Sequence, residues 1–258
     1  MEVVYGLPAG GLDLILHSPG GSPEATEAIV SYLRSLRGRL ADLRVIVPHE
    51  AMSAATLLAC AADRIVMGRH SYLGPVDPQL QIGQTLVPAQ AILSQFERAK
   101  RECLANSANL AVWVPVLQQY APALLEQCEN AIALSQELVA TWLRTWMLQE
   151  RPDGEERAKA IAKALTDHGR LRTHGRPLGR DYLRQLGLRI DDLEGDQELQ
   201  DRVLTVYHAA MHTFSGTPAA KIIENQQGRA FIKLFQMVVV PSPGASPPPS
   251  STVPLAPA

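Results

Sequence analysis

A chain of 258 residues with 46% apolar and 19% charged side chains is long and apolar enough to bury a sizeable core, as one large domain or a domain with an appendage. A formal net charge of −2 gives no basis for general binding to nucleic acid or to an anionic membrane surface, so neither partner is expected. No run of eighteen uninterrupted apolar residues occurs, and the N-terminus lacks the basic start and small-residue cleavage site of a signal peptide, so the expected location is the cytoplasm with no membrane segment in the chain.

In chain order, Leu12 to His17 is a nearly continuous apolar run closed by Pro19-Gly20-Gly21, which predicts a buried strand. Ser22 and Pro23 then form a cap and first turn for a helix to about Leu36, with Ala25, Ile29, Leu33 and Leu36 at helical spacing. Leu43 to Val47 is a second buried strand, Ser53 to Ala62 a helix of small residues, and Arg64 to Met67 a third strand. Strands alternating with helices predict right-handed βαβ units and a parallel sheet with flanking helices. The segment 71–79 is too rich in Gly and Pro for a helix. Beyond it helices are expected at Pro88–Leu104, Val116–Leu148 with a break near Pro122, Glu155–Asp167, Gly179–Leu186 and Gln197–Phe214. From Pro241 a Pro- and Ser-rich tail is expected to be disordered. The resulting organisation is an α/β core over 1–87, a helical region over 88–240 and a tail over 241–258.

Ser53 is the residue with the clearest chemical promise. It stands at a tight turn between the strand ending at Val47 and the small-residue helix of Ser53 to Ala62. Free N–H groups at a helix start can stabilise a developing oxyanion, and the glycines of Ser18-Pro19-Gly20-Gly21 can bring a second set to the same spot. By itself such a serine is more often a helix N-cap. The three cysteines, Cys60, Cys103 and Cys128, are widely spaced; Cys60 and Cys128 lie on apolar helical patterns and read as buried thiols, with no disulfide framework and no metal quartet. His208 and His212 have the four-residue spacing of two ligands on one helix face, but no third ligand accompanies them, so a structural or surface role is expected and neither metal nor cofactor is assigned. His17 reads as the cap of a strand, and the basic stretch Arg170, Arg172, His174, Arg176 and Arg180 as a solvated loop.

Several ordered blocks resemble the serine dehydrogenase proteinase family. They are Leu14-Ile15-Leu16-His17-Ser18-Pro19-Gly20-Gly21, Val47-Pro48 with Ala51-Met52-Ser53, Ala61 to Gly68, and Leu73-Gly74-Pro75-Val76-Asp77-Pro78-Gln79. That family belongs with the signal peptide peptidases and Clp proteases in the Clp/crotonase fold, and the resemblance covers about residues 12–233. It implies a serine peptidase acting on a peptide or protein substrate, assembled as a homo-oligomer. Ser53 matches the nucleophile, Gly20 the oxyanion-hole glycine with Gly21 beside it, and Ala54 the second backbone donor. Where Clp-type triads place a histidine, the chain has Val76 and Asp77. The signal-peptide-peptidase branch uses a lysine on a later helix, and Lys100, the only lysine before residue 159, matches it. A Ser53–Lys100 dyad is therefore expected, with Asp77 and His49 as supporting residues and His49 or His70 as alternative bases. A lysine serves as base only when burial or a nearby cation lowers its pKa. The chain departs from the family's Ser-Gly-Gly-Thr in having Ser53-Ala54-Ala55-Thr56, and relatives carry a longer N-terminal region, which implies a missing sheet edge or an upstream start. The alternatives are a catalytically inactive scaffold of the same fold that binds a partner, and a crotonase-type acyl-CoA enzyme, disfavoured by the serine at the turn and the lack of a nearby carboxylate pair.

Overall fold

The computed structural model of the chain describes residues 3–36, 38 and 40–235. In order, the elements are β1 (Gly10–Ile15), α1 (Pro23–Ser35), β2 (Leu40–Val47), β3 (Glu50–Ala51), α2 (Ala54–Cys60), β4 (Arg64–Met67), β5 (Tyr72–Leu73), β6 (Gln79–Ile82) and β7 (Thr85–Pro88). There follow α3 (Ala89–Ala105), α4 (Leu110–Leu117), α5 (Leu124–Thr145), α6 (Gly154–Thr166), α7 (His168–Leu171), β8 (Leu178–Gly179), α8 (Arg180–Leu186), β9 (Ile190–Asp192), α9 (Gln197–Gly216), β10 (Ala219–Glu224) and β11 (Ala230–Leu234). Contacts divide the chain into one unit over 6–208 and a second made of the described residues of 1–5 and 209–258; the second contains the β10–β11 hairpin.

The main sheet is the expected parallel one, in the order β1-β2-β4-β9, with every pair parallel. Val45, Val47, Ile65 and Met67 are fully buried, as the uninterrupted apolar runs of a sheet covered on both faces require. The small side chains Ala59, Cys60, Ala61 and Ala62 pack fully buried in the same core as the sheet residues, and Val139, Leu143, Ile161 and Leu165 of α5 and α6 complete that core. Burial drives the Cys60 thiol up to about 12, so Cys60 is inert packing, as its setting in the sequence predicts.

Several expectations need correcting. Helix α1 starts at Ser22 and Pro23 as predicted, with Ser22 Oγ accepting the Ala25 N–H at 3.1 Å, but the face it buries is Thr26, Val30 and Leu33, leaving Ala25 and Ile29 exposed. Thr26 is admissible there because its hydroxyl donates to the Ser22 carbonyl at 3.1 Å. The expected break near Pro122 is present, but the helix before it, α4, starts at Leu110 rather than Val116 and has Pro115 inside it; the turn to α5 ends at Ala123, with φ of 61°. Strands β6 and β7 form a hairpin, and β9 completes the main sheet; neither was anticipated. The tail from Pro241 lies outside the described residues.

A second, three-stranded sheet positions the chemistry. Its order is β3-β5-β8, with Ala51 opposite Leu73 in parallel and Leu73 opposite Leu178 in antiparallel register. Chain leaving β3 and β5 therefore departs from the same end at which chain arrives to enter β8. Ser53 lies two residues past β3, Asp77 four residues past β5, and His174 four residues before β8. Buried Thr56 joins two of these strands: its Oγ1 accepts the Gly74 N–H at 3.1 Å and stands 2.7 Å from the Ala51 carbonyl and 3.0 Å from that of Gly74.

Candidate active site

Ser53 is not a helix cap. Its side chain makes no capping hydrogen bond, and its backbone sits at φ 53°, ψ −118°. An L-residue in that region is strained by roughly 1–3 kcal/mol and is held there by its surroundings. The strand-to-helix turn lifts Ser53 Oγ off the backbone, the geometry of a nucleophile elbow. Two fixed points impose it: Met52 donates its N–H to the Ser18 carbonyl at 3.0 Å, and Ala55 donates to the Met52 carbonyl at 2.9 Å.

The loop after β1 closes over this serine. A β-carbon on Gly20 would lie 2.9 Å from Ser53 Cβ and 3.5 Å from Ser53 Oγ, and Gly20 has φ of +119°, so only glycine suits the position. The Gly20 N–H is engaged by Ser18 Oγ at 3.1 Å. Among the described hydrogen bonds, the N–H groups of Gly21 and Ala54 have no acceptor, and Ala54 is buried. A buried donor left open beneath a serine hydroxyl is a place for negative charge. Ala54 and Ala55 keep φ negative, so the methyl groups that replace the family's glycines cause no backbone strain.

Lys100 lies on α3 with its side chain 59% exposed, 3.8 Å from Glu97 one turn back. The burial that a lysine base relies on is not present there. His70, one alternative base, is held by its Nε2 2.8 Å from the Pro48 carbonyl. His49, the other, stands among His17, Tyr72 and Tyr207, its ring stacked on Tyr207 with centroids 6.2 Å apart. Burial, the largest influence on His17, lowers the pKa of that imidazole.

Asp77 is the most informative of the supporting residues. It is 2% exposed, and its two carboxylate oxygens face two imidazoles, His168 Nδ1 on Oδ2 and His174 Nδ1 on Oδ1, both at 2.7 Å. Gln79 Nε2 adds a longer bond of 3.3 Å. Because a carboxylate only accepts, each histidine donates from Nδ1 and leaves Nε2 as its free basic nitrogen when neutral. Neither His168 nor His174 was singled out from the sequence as a site residue, and the reading of 170–180 as a solvated basic loop holds for the exposed Arg170, Arg172 and Arg176 but is corrected at His174 and Arg180. His174 is bound to Asp77, and Arg180 is largely buried against Glu194 at 2.6 Å and Asp192 at 3.1 Å. A signal was available: an aspartate between two prolines in an apolar segment needs buried partners, and the chain has only seven histidines to supply them.

The family model for the ClpP-like SDH-type serine proteinases matches residues 8–218. The chain belongs to that family. Two curated relatives, the uncharacterized proteins MJ0137 and MJ1495 of Methanocaldococcus jannaschii, are 37% and 36% identical to it over 180 residues. The match covers 70% of this chain and 53% and 52% of those relatives, so the ClpP-like chain spans about half the length of the proteins it resembles. Membership bears out the ClpP-like α/β fold expected from the motifs. Among the described residues no helix is long and apolar enough to cross a membrane.

Proposed function

We propose that this member of the family is a serine peptidase with Ser53 as its nucleophile. The observation that carries the reading is the uncapped, strained serine turned towards Gly20 above the open Ala54 N–H. In this scheme Ser53 Oγ bonds to the carbonyl carbon of a peptide while a base takes its proton. The carbonyl oxygen becomes an oxyanion held by the N–H groups of Ala54, Gly21 and, once released from Ser18, Gly20. Collapse breaks the C–N bond, the base returns the proton to the leaving amine, and water repeats the sequence to free the acid and Ser53.

The proton acceptor carried over from the family resemblance is Lys100, in a Ser53–Lys100 dyad that needs the lysine drawn out of solvent. A second reading is favoured by the register of the β3-β5-β8 sheet, which sends Ser53, Asp77 and His174 off one end. In it His174 is the base and Asp77 fixes its tautomer and stabilises the imidazolium, the two services an aspartate gives in a catalytic triad. General-base catalysis contributes about 10²–10⁴ in rate, so the two assignments differ measurably.

The test is labelling of the full chain with a fluorophosphonate probe. Labelling that disappears with Ser53→Ala supports the peptidase reading. If it survives Lys100→Met but falls at least a hundredfold with His174→Gln, the base is His174; the opposite pattern gives the role to Lys100. A folded wild-type chain that takes no label turns the reading towards the scaffold of the same fold, kept for binding a partner. Substrate and homo-oligomeric assembly remain with this proposal, and a labelled enzyme is the means of searching for the first.

A further inference from the structure

Beside the serine turn, and independent of it, three side chains of the unit over 6–208 gather in a way that peptidase chemistry does not use. His17 two residues past β1, His49 in the connection between β2 and β3, and Glu50 at the start of β3 each bring a ligand atom within 4.8 Å of the others. We propose that His17, His49 and Glu50 bind one divalent transition-metal ion of the zinc class, with a further coordination position left open.

Four observations support the site. The donor set of two imidazoles and one carboxylate is that of a borderline cation that keeps an exchangeable position, and it excludes neither zinc nor cobalt(II). His17 Nδ1 is buried and, among the described residues, has no hydrogen-bond partner, a desolvated polar atom that a bound metal ion would satisfy. Glu50 is already oriented: Tyr72 Oη donates to Glu50 Oε2 at 2.7 Å, the kind of outer contact that fixes a ligating carboxylate. The backbone carrying the ligands is pinned, since Ser18 donates its N–H to the Glu50 carbonyl at 3.1 Å and Tyr72 donates to the His49 carbonyl at 2.9 Å.

Ring contacts wall the cluster. Tyr207 meets His17 edge-on at 5.1 Å and stacks on His49, while Tyr72 meets His49 edge-on at 5.4 Å. Ligands bound at about 2.0–2.1 Å in a tetrahedral site stand about 3.3 Å apart, so side-chain rotation of the order of 1 Å closes the cluster on an ion. His208 and His212 are the competing metal-binding pair, but both are exposed and no third ligand group accompanies them among the described residues.

The experiment is a titration of the metal-free full chain with cobalt(II), read by its visible d–d absorption and followed by displacement with zinc. Saturation at one equivalent, lost in His17→Gln and in His49→Gln but kept in a His208→Ala, His212→Ala double variant, is the expected result. Tyr72→Phe, which spares all three ligands, should weaken binding about tenfold to a hundredfold. Circular dichroism separates loss of the site from loss of the fold. The proposal is overturned if the folded wild type develops no d–d bands at micromolar cobalt(II). It is equally overturned if binding persists in both imidazole variants. Neither result touches the Ser53 reading, which is judged by probe labelling without added metal.

Discussion

The conformation of Ser53 makes a prediction that separates strain from chemistry. At φ 53°, ψ −118°, any side chain with a β-carbon is penalised, and glycine is not. Ser53→Gly should therefore stabilise the chain by about 1 kcal/mol in urea denaturation, net of the greater freedom glycine has when unfolded. Ser53→Ala, which keeps the β-carbon, should abolish probe labelling with no such gain. Equal stability of the two variants would mean that the turn is relaxed and the serine an ordinary loop residue. Sequence alone located this residue, because a strand, a turn and a small-residue helix are all local features. It did not locate His174, which is marked out only by a contact with a residue 97 positions earlier in the chain. For Lys100 the position on a helix could be read, but which face of the helix is covered could not, and the side chain is exposed.

Among the elements, the long ones were legible and the short ones were not. Strands β1, β2 and β4 announce themselves as apolar runs, while β3, β5 and β8 have two residues each and carry no periodicity. β9 reads Ile190-Asp191-Asp192, and only its pairing with Ile65 to Met67 makes it a strand. Yet the two-residue strands send Ser53, Asp77 and His174 off one end of their sheet, and Thr56 bonds to the backbone at two of them. Replacing Thr56 by Val keeps its shape but removes the donor to the Ala51 carbonyl and one of two acceptors of the Gly74 N–H, which also reaches the Ala51 carbonyl at 3.1 Å. A loss of about 1 kcal/mol is expected in denaturant unfolding, with Thr56→Ser recovering most of it. An unchanged midpoint in Thr56→Val would show that this sheet holds without the hydroxyl.

At the scale of the whole molecule, a polar latch contributes to the acid sensitivity of the larger unit. Glu194 accepts the Arg69 N–H at 2.7 Å and pairs with Arg180, joining the exit of β4 to α8 and the segment after β9. Burial alone would raise its pKa, but the hydrogen bonds from Arg69 and Arg180 prevail and hold it at about 2, below its ordinary 4.5. A carboxyl depressed in the folded state contributes its full stabilisation above the unfolded value and loses it as pH falls towards the folded one. Melting temperature should drop between about pH 4.5 and 2, and the gap between wild type and Glu194→Gln should close over that window. Parallel curves at all pH values would exclude the latch. The small sheet also has a consequence in time. Strand β8 joins it only once residue 178 has been made, so a nascent chain carries its serine long before Asp77 can meet His174. At 5–20 residues per second that delay is roughly 6–25 s. If His174 is the base, a peptidase emerging from the ribosome stays harmless to its neighbours until the chain has been synthesised as far as β8.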